Sequence, residues 1–329
     1  MKMIVFGAGN WGTSLACQLA GNCDVCLWSR SREHAEQINR DRENRKRLPG
    51  IRLPDRVRAG EKFSHALDAD DIVVIAVPSK QMRTVAEELA PHLNGQIIVS
   101  ASKGFEHSTF KTMSEVIHEL VPESPLVVLS GPNLAREIAE NKPAKTVLAS
   151  ADIAAAAKVA RAFKNSCISF EICSDMKGVE LCAALKGIIA IGVGLCDGLD
   201  LGKNFTGLIM TCGLYEFKAI SGFLGISEKT IYGIAGLGDL IATCLSTNSR
   251  NYCFGRLLGE GVDRDEALRQ VGMVVEGVQM AKTIAELEDL NIPVPLFNII
   301  SKIISGDIRN YREKFIQCLS NYSSNQGGM

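Results

Sequence analysis

The chain has 329 residues, more than the roughly 250 to 300 at which a single hydrophobic core stops growing, so two domains are expected. A net charge of -1 and a hydrophobic content of 46% indicate a compact soluble protein without a strong field for nucleic acid or a membrane. No secretory signal pattern precedes the first apolar segment, so a cytoplasmic location is predicted.

The eleven cysteines are spread along the chain in apolar surroundings, which is typical of reduced thiols. Cys23-Asp24-Val25-Cys26 matches a CxxC pattern, but it begins a predicted strand, in which residues three apart point to opposite faces. Because a second cysteine pair is also missing from the sequence pattern, no metal site is predicted.

A glycine-rich motif follows the first predicted strand. The apolar run Met3 to Phe6 leads into Gly7-Ala8-Gly9-Asn10-Trp11-Gly12, and residues 13–20 then have helical periodicity. In such a turn the first glycine allows a tight bend, the second lets a pyrophosphate approach the backbone, and the third lets the helix pack on the strand. With a second strand at Asp24 to Trp28, the unit predicts a dinucleotide site; the alternative is a glycine-rich turn without a ligand.

The second predicted strand ends at Ser29-Arg30-Ser31-Arg32. An NAD-specific site usually places a carboxylate there, on the ribose 2′-OH. Arginines and hydroxyls would instead bind a 2′-phosphate through charge-assisted hydrogen bonds. We therefore predict that NADP(H) is preferred, that NAD(H) is possible and that Arg30 contacts the cofactor. The alternative is a solvated turn.

Strand and helix patterns alternate from Asp70 to Ser150, which predicts a mostly parallel sheet with crossover helices. The predicted strands cover residues 71–77, 96–101, 126–129 and 145–149. Polar loops such as Ser102-Lys103-Gly104 and Ser130-Gly131-Pro132-Asn133 follow them, at the strand ends where such sheets bind ligands. The charged segment Asn39 to Arg47 indicates an exposed helix or loop.

The second half of the chain is mainly helical. A helical run at 154–163 and a strand-like segment at 168–172 precede helical patterns that begin near Met176. The predicted fold is an N-terminal α/β domain with a Rossmann-type doubly wound sheet, residues 1–175, and an all-helical C-terminal domain, residues 176–329. The apolar stretch Val179 to Cys196 contains two charged residues, and its uninterrupted part is too short to span a bilayer, so a buried core helix is predicted.

All five histidines precede residue 119, so an acid or base in the second domain must be another residue type. Lys186 is the only cation in the apolar part of the core helix, where burial would lower its pKa towards the range useful for proton transfer. The alternative is a lysine whose ammonium reaches the surface. Gly236-Leu237-Gly238-Asp239 predicts an unusual backbone for the aspartate, or else a common helix cap or turn.

Seven motifs form an ordered set over nearly the whole chain: GAGNWG at 7–12, SKGFE at 102–106, SGPNLAREIA at 130–139, ALKGIIAIGVGLCDGL at 184–199, GLGDLIATC at 236–244, SRN at 249–251 and VVEG at 274–277. This set resembles the NAD(P)-dependent glycerol-3-phosphate dehydrogenases, in the soluble form that bacteria use to begin phospholipid synthesis. The resemblance implies reduction of dihydroxyacetone phosphate, a phosphorylated triose, to sn-glycerol 3-phosphate.

The resemblance also implies roles for individual residues. Lys186 matches the proton donor and acceptor, Asp239 the carboxylate that orients it, and Lys103 a second lysine that polarises the substrate carbonyl. Arg250 and Asn251 match the clamp on the substrate phosphate, for which a forked guanidinium is well suited. The lysine contacts would stabilise charge that develops in the transition state.

The implied cofactor contacts are Gly7, Gly9, Asn10, Trp11, Gly12, Arg30, Lys103, Ala135, Arg250, Val274 and Glu276. The implied substrate contacts are Lys103, Gly131, Asn133, Lys186, Asp239, Ser249, Arg250 and Asn251. A homodimer is expected from the family and from the apolar pattern at Ile292 to Ile304. Two positions depart from the family: Gly187 stands where Asn is usual, so a contact of that carboxamide must be absent or replaced by water, and Asn133 stands where Ser or Thr is commoner.

Two other functions remain open at this point. One is a related dehydrogenase that acts on a 3-hydroxy acid or an opine-like substrate, since Arg250 would also bind a carboxylate. The other is a dinucleotide sensor that kept the fold and lost the reaction. The joint presence of Lys103, Lys186 and Asp239 favours the enzyme.

Overall fold

Two units divide the chain, Met1–Met176 and Lys177–Met329. The computed structural model describes residues 1–61, 67–106, 109–287, 292–308 and 310–322. The order of the elements shows that an α/β unit is followed by a helical unit.

The first unit is built on one sheet, which has eight strands within the described residues. In chain order they are β1 (Lys2–Phe6), β2 (Asp24–Trp28), β3 (Val57–Gly60), β4 (Ile72–Ile75), β5 (Ile97–Ser100), β6 (Leu126–Ser130), β7 (Ala144–Ala149) and β8 (Ile168–Cys173). Across the sheet the order is β3-β2-β1-β4-β5-β6-β7-β8. The pairing of β6 with β7 is antiparallel and the other pairings are parallel. Because the chain winds in opposite directions from β1, the crevice beside the end of β1 is where such sheets bind ligands.

Helices cover both faces of this sheet. They are α1 (Asn10–Leu19), α2 (Arg32–Asp41), α3 (Met82–Leu89), α4 (Met113–Leu120), α5 (Ala135–Ala139) and α6 (Ile153–Ala162). Alternate residues of β1 enter two separate cores: Met3 and Val5 pack in the core that includes Leu15 of α1, whereas Ile4 and Phe6 pack in another. Burial on both faces explains why the central strands are apolar throughout.

The predicted fold class is confirmed, and the predicted strands agree with the observed ones to within a few residues. The strand β3 was not anticipated, because its sequence Val-Arg-Ala-Gly is short and only Val57 is buried. The segment at 39–47 also differs from the expected solvated surface. Asn44 within it is completely buried, and its amide donates hydrogen bonds to the Ala8 carbonyl and the Thr13 hydroxyl.

The described part of the second unit is helical. Its helices are α7 (Met176–Gly198), α8 (Lys203–Leu224), α9 (Glu228–Tyr232), α10 (Asp239–Leu245), α11 (Arg250–Gly259), α12 (Arg264–Val271), α13 (Glu276–Leu287), α14 (Pro295–Ser305) and α15 (Tyr311–Ser320). By length and composition α7 could cross a membrane, but its apolar window is wholly buried. At Gly194 of α7 a Cβ would lie 2.1 Å from the carbonyl oxygen of Tyr252, so α11 packs directly on α7.

A buried carboxyl group caps α14. The Glu216 side chain accepts hydrogen bonds from the backbone N–H groups of Leu296 and Phe297, at 2.6 and 2.9 Å. Burial raises the pKa of Glu216 to about 8, and these bonds, with one from Tyr322, oppose that rise. The neighbouring thiols of Cys212 and Cys318 stay protonated in the folded protein, since burial raises their pKa values to about 12 and about 11.

This carboxyl group should make stability depend on pH. The folded-state pKa lies above the unfolded value, so the folded protein holds a proton that the unfolded chain releases between pH 4.5 and about 8. The free energy of unfolding should therefore fall as pH rises, by up to about 1.4 kcal/mol per pH unit. Urea titrations of the parent and of Glu216→Gln at several pH values test this, and the variant should lack the slope. Glu228→Gln removes an exposed carboxylate of the same unit and should keep it; parallel curves for all three proteins would contradict the assignment.

Candidate active site

The glycine turn after β1 has the shape that the sequence predicts. Gly7 has a φ of +113°, and a Cβ there would lie 2.3 Å from the carbonyl oxygen of Ala76. At Gly12 a Cβ would lie 2.0 Å from the carbonyl oxygen of Gly7, so this glycine lets α1 begin close to the strand. At Gly9, by contrast, a Cβ would meet no described atom within 4 Å. The turn is therefore packed against backbone atoms at Gly7 and Gly12 and has open space beside Gly9.

The start of α1 fits a bound pyrophosphate. Gly9 is the N-cap, no side chain caps the helix, and its first turn contains no acidic residue. The first backbone N–H groups of a helix have no partner within the helix and attract anions. The Trp11 indole N–H is also buried without a hydrogen-bond partner among the described residues. Asn10 and Trp11 therefore lie where a dinucleotide would supply the missing partners.

The loop after β2 contains Arg30. Its guanidinium is exposed, and Ser31 caps α2 by accepting a hydrogen bond from the N–H of His34. Arg32 is paired with Glu36 at 2.8 Å on the surface of α2. Arg30 thus lies at the carboxyl end of β2, the position from which a dinucleotide-binding sheet contacts the adenosine ribose.

Two neighbouring parallel strands bring Lys103 and Gly131 together. Lys103 follows β5, Gly131 follows β6, and the lysine ammonium donates a hydrogen bond of 3.3 Å to the Gly131 carbonyl oxygen. Asn133, in the same loop as Gly131, donates from its amide to the Thr146 hydroxyl at 3.1 Å. Its Oδ1 is buried and lacks a hydrogen-bond partner in the described part of the chain. The loop ends at Ala135, the first residue of α5.

A buried ion pair lies in the second unit. The Lys186 ammonium contacts an Asp239 carboxylate oxygen, and the two side chains are only 8% and 2% exposed. The hydroxyl of Thr243, one turn further along α10, lies 3.4 Å from the other Asp239 oxygen. Lys186 is therefore not a lysine that reaches the surface. Thr243 was not anticipated from the sequence, although its spacing of four residues from Asp239 on a helix was a usable signal.

The backbone before Asp239 is unusual, but Asp239 itself is not. Residues Ile234–Gly238 form a π-helical turn that runs into α10, while Asp239 has ordinary helical angles of φ -70° and ψ -32°. A Cβ at Gly236 would lie 2.1 Å from the carbonyl oxygen of Ile231. The expectation of an unusual backbone at the aspartate is therefore wrong, because the irregular part of the backbone ends at Gly238. Such π turns are frequent at functional sites.

Three helices of the second unit converge beside Lys186. The Asn251 Oδ1 accepts a hydrogen bond of 3.0 Å from the N–H of Gly277. A Cβ at Gly187 would lie 3.1 Å from the Gly277 Cα and 3.2 Å from the Asn251 Nδ2. The Asn251 carboxamide therefore occupies the space beside position 187.

The other predicted site residues of the second unit lie at or near the starts of α11 and α13. Arg250 is exposed and is the first residue of α11, and Glu276 is the first residue of α13, just after Val274. Ser249 is the N-cap of α11, and its hydroxyl accepts a hydrogen bond from the N–H of Tyr252. Arg250 and Glu276 are thus each the first residue of a helix, as Asn10 is the first residue of α1 in the first unit.

The cysteine pattern near β2 does not form a pair. Cys23 is buried and Cys26 is exposed, and both are free thiols. Within the described residues, no group of three or more His, Cys, Asp or Glu side chains could hold a metal ion.

The doubly wound sheet with its open glycine turn, and the helical unit with its buried lysine–aspartate pair, define a nicotinamide-dependent dehydrogenase. A family model described as the N-terminus of NAD-dependent glycerol-3-phosphate dehydrogenase matches residues 2–156, and the model of the C-terminus matches residues 175–312. The chain belongs to the NAD-dependent glycerol-3-phosphate dehydrogenase family.

Relatives of this family cover almost the whole chain. A glycerol-3-phosphate dehydrogenase [NAD(P)+] of Enterococcus faecalis is 41% identical over 312 residues, 93% of this chain and 92% of the relative. One of Halorhodospira halophila is 40% identical over 309 residues, 92% of each. The glycerol-3-phosphate dehydrogenase structure from Coxiella burnetii has a TM-score of 0.90 and 32% identity, and covers 98% of this chain and 99% of that one.

More distant structures share the fold alone. A ketopantoate reductase of Ralstonia eutropha has a TM-score of 0.61 at 16% identity, and covers 96% of this chain and 99% of that one. A D-mandelate dehydrogenase structure has a TM-score of 0.63 at 14% identity, with 93% and 97% covered. The architecture is therefore common to several dehydrogenases, and the substrate must be argued from the site.

The π-helical turn gives a test of how Asp239 is positioned. In Gly236→Ala the new methyl group would overlap the Ile231 carbonyl, so the turn and Asp239 must shift. We expect the turnover number to fall by about 10²-fold, the usual order for a displacement of about 1 Å in an active site. Gly222→Ala is the matched control, because a Cβ there meets nothing within 4 Å on α8. Its turnover should be unchanged; equal turnover in both variants would contradict the role of the turn.

Proposed function

We propose that this protein reduces dihydroxyacetone phosphate reversibly to sn-glycerol 3-phosphate with NADPH or NADH, and so supplies glycerol phosphate for phospholipid synthesis. The buried pair of Lys186 and Asp239 is the observation that carries the proposal. The loss of hydration of a buried ion pair can exceed its Coulombic attraction, so stability alone is a weak reason for such a pair and a role for the charge is favoured. The names of the relatives support the same activity.

The reaction needs a proton at the substrate oxygen. The reduced nicotinamide supplies a hydride to the carbonyl carbon when it is bound. Lys186 donates its proton to the carbonyl oxygen as negative charge develops there, and in the oxidative direction the neutral amine accepts that proton from the hydroxyl. Asp239 stabilises the charged form and fixes the direction of the ammonium group, while Thr243 holds the second carboxylate oxygen. These fixed charges stabilise the transition state without reorganisation.

The other predicted residues bind and orient the substrate. Lys103 is held by the Gly131 carbonyl and would polarise the substrate carbonyl, with the buried Oδ1 of Asn133 available to a substrate or cofactor group. Arg250 would bind the phosphate dianion together with the N-terminus of α11, where backbone N–H groups also attract anions. The Oδ1 of Asn251 accepts a hydrogen bond from the N–H of Gly277, which orients the carboxamide, and its Nδ2 would donate to the phosphate.

The same proposal includes a cytoplasmic location and a homodimer. The apolar pattern of α14 is not itself support for a dimer face, because Leu296, Phe297 and Ile300 are buried within the single chain. Support for the dimer comes from the family resemblance alone.

A rate assay tests the reaction and the role of Lys186 together. Purified protein should consume NADPH only when dihydroxyacetone phosphate is present. In Lys186→Ala the turnover number should fall by about 10² to 10⁴-fold, the contribution of a positioned acid or base, while NADPH still binds. Fluorescence titration of NADPH measures that binding separately.

The control for this variant is Lys218→Ala, which removes a lysine that is paired with Glu228 at the surface of the same unit. Its turnover should match the parent. Unchanged turnover in Lys186→Ala would overturn the assigned role. A folded parent protein that binds NADPH but consumes none with this substrate would favour the 3-hydroxy acid enzyme or the sensor.

The cofactor preference depends on Arg30. In Arg30→Asp the guanidinium that would bind the 2′-phosphate is replaced by a carboxylate that repels it, so the KM for NADPH should rise by about tenfold or more. The KM for NADH should change little. Arg56→Asp is the matched control, since Arg56 is exposed and pairs with Asp24 at the opposite end of β2. An equal loss for both cofactors in Arg30→Asp would mean that the arginine has a structural role.

A further inference from the structure

A buried carboxamide lies behind the glycine turn. The Asn44 side chain is fully buried, and its Nδ2 lies 3.0 Å from the Ala8 carbonyl oxygen and 2.9 Å from the Thr13 hydroxyl oxygen. Ala8 is the central residue of the turn, and Thr13 belongs to the first turns of α1. Both hydrogen atoms of the amide are therefore used on the segment that would hold the pyrophosphate.

The acceptor side of the same carboxamide faces His34. The His34 Nε2 lies 3.0 Å from the Asn44 Oδ1, and its Nδ1 lies 3.1 Å from the Ser29 hydroxyl. Because the Oδ1 can only accept, the Nε2 must carry a hydrogen, and in the neutral ring the Nδ1 then accepts from Ser29. Ser29 immediately precedes Arg30. One network thus joins the glycine turn to the loop of Arg30.

Several hydrogen bonds fix the segment that contains Asn44. The Asn44 carbonyl accepts a hydrogen bond of 2.7 Å from the N–H of Leu48, and the Glu43 carboxylate accepts one of 2.8 Å from the N–H of Gly50. Arg136 of α5 donates to the Pro49 carbonyl at 2.9 Å. The position of Asn44 is therefore fixed by contacts that do not involve the glycine turn.

The bond to Ala8 also sets the direction of a cofactor donor. A trans peptide holds its C=O and N–H groups in opposite directions. With the Ala8 carbonyl directed at Asn44, the N–H of Gly9 must point away from Asn44. Gly9 is the N-cap of α1 and the residue at which the turn is open. The hydrogen bond therefore presents that N–H without a rearrangement when an anion binds.

We propose that Asn44 is a positioning residue of the dinucleotide site, which holds the Ala8–Gly9 peptide and, through His34 and Ser29, the loop of Arg30 in one preformed arrangement. This inference rests on the proposed use of a nicotinamide dinucleotide. Asn44 touches no cofactor atom in this account. It acts through Ala8, Thr13 and His34, so its loss should weaken cofactor binding and leave the chemistry intact.

The test compares two variants by direct titration of NADPH and NADH fluorescence. Asn44→Asp keeps the shape but loses both donors, so the Kd values of both cofactors should rise by about tenfold or more. His34→Ala breaks only the branch to Arg30, so the Kd of NADPH should rise by about fivefold, the equivalent of one hydrogen bond, and that of NADH less. At saturating cofactor, the turnover number and the KM for dihydroxyacetone phosphate should match the parent in both variants.

Gln18→Glu is the matched control. Gln18 is another buried carboxamide of the first unit, and it bonds to the Ile138 carbonyl and to the N–H of Cys167, away from the glycine turn. Gln18→Glu makes the same change from amide to acid, so this variant should be less stable than the parent but should keep the Kd values of NADPH and NADH. The proposal is overturned if Asn44→Asp binds both cofactors as the parent does, or if Gln18→Glu weakens them equally. If Asn44→Asp does not fold, the selective loss of NADPH in His34→Ala carries the test.

These outcomes are separate from failure of the proposed function. The parent protein shows by itself whether NADPH binds and whether it is consumed with dihydroxyacetone phosphate. A parent that binds NADPH without turnover leaves the fluorescence comparison of the variants valid, because that measurement needs no substrate.

Discussion

The contact between Lys186 and Asp239 is the interaction on which the rest of the second unit depends. Two charges can remain in a buried place only if they are paired and hydrogen-bonded, because the loss of hydration is otherwise not offset. The Asp239 carboxylate meets this requirement with both oxygens, since one contacts the Lys186 ammonium and the other lies beside the Thr243 hydroxyl. Removal of either partner would leave the other charge buried without this ion pair, which is strongly destabilising.

Both units combine backbone N–H groups with charged side chains that suit anionic ligands. The first unit has the start of α1, whose N–H groups carry partial positive charge, and the exposed Arg30 at the end of β2. The second unit has the start of α11, with Arg250 as its first residue, and the buried pair of Lys186 and Asp239. In the proposed reaction charge develops on one oxygen, which requires a group that can release a proton.

A carboxamide fixes a backbone group in each unit. Asn44 holds the Ala8 carbonyl in the first unit, and Asn251 holds the Gly277 N–H in the second. An amide can donate and accept at once without bringing a charge into the interior, so it can fix a backbone group at a smaller cost of desolvation than a carboxylate. Gly187 and Gly277 leave the room that Asn251 needs, because a Cβ at either position would lie about 3 Å from the Asn251 carboxamide.

The sequence alone determined the parallel sheet, the glycine turn and the identity of the buried lysine, because each depends on local periodicity or on a residue type that few environments tolerate. It did not reveal β3, whose stability comes from pairing with β2 rather than from its own short pattern. It also predicted an exposed segment around Asn44, because the neighbouring residues are charged, and it predicted at Asp239 an unusual backbone that the structure has in the preceding turn. Only the tertiary structure decides such cases, because the partners of Asn44 lie 36 and 31 residues away and no local pattern encodes them.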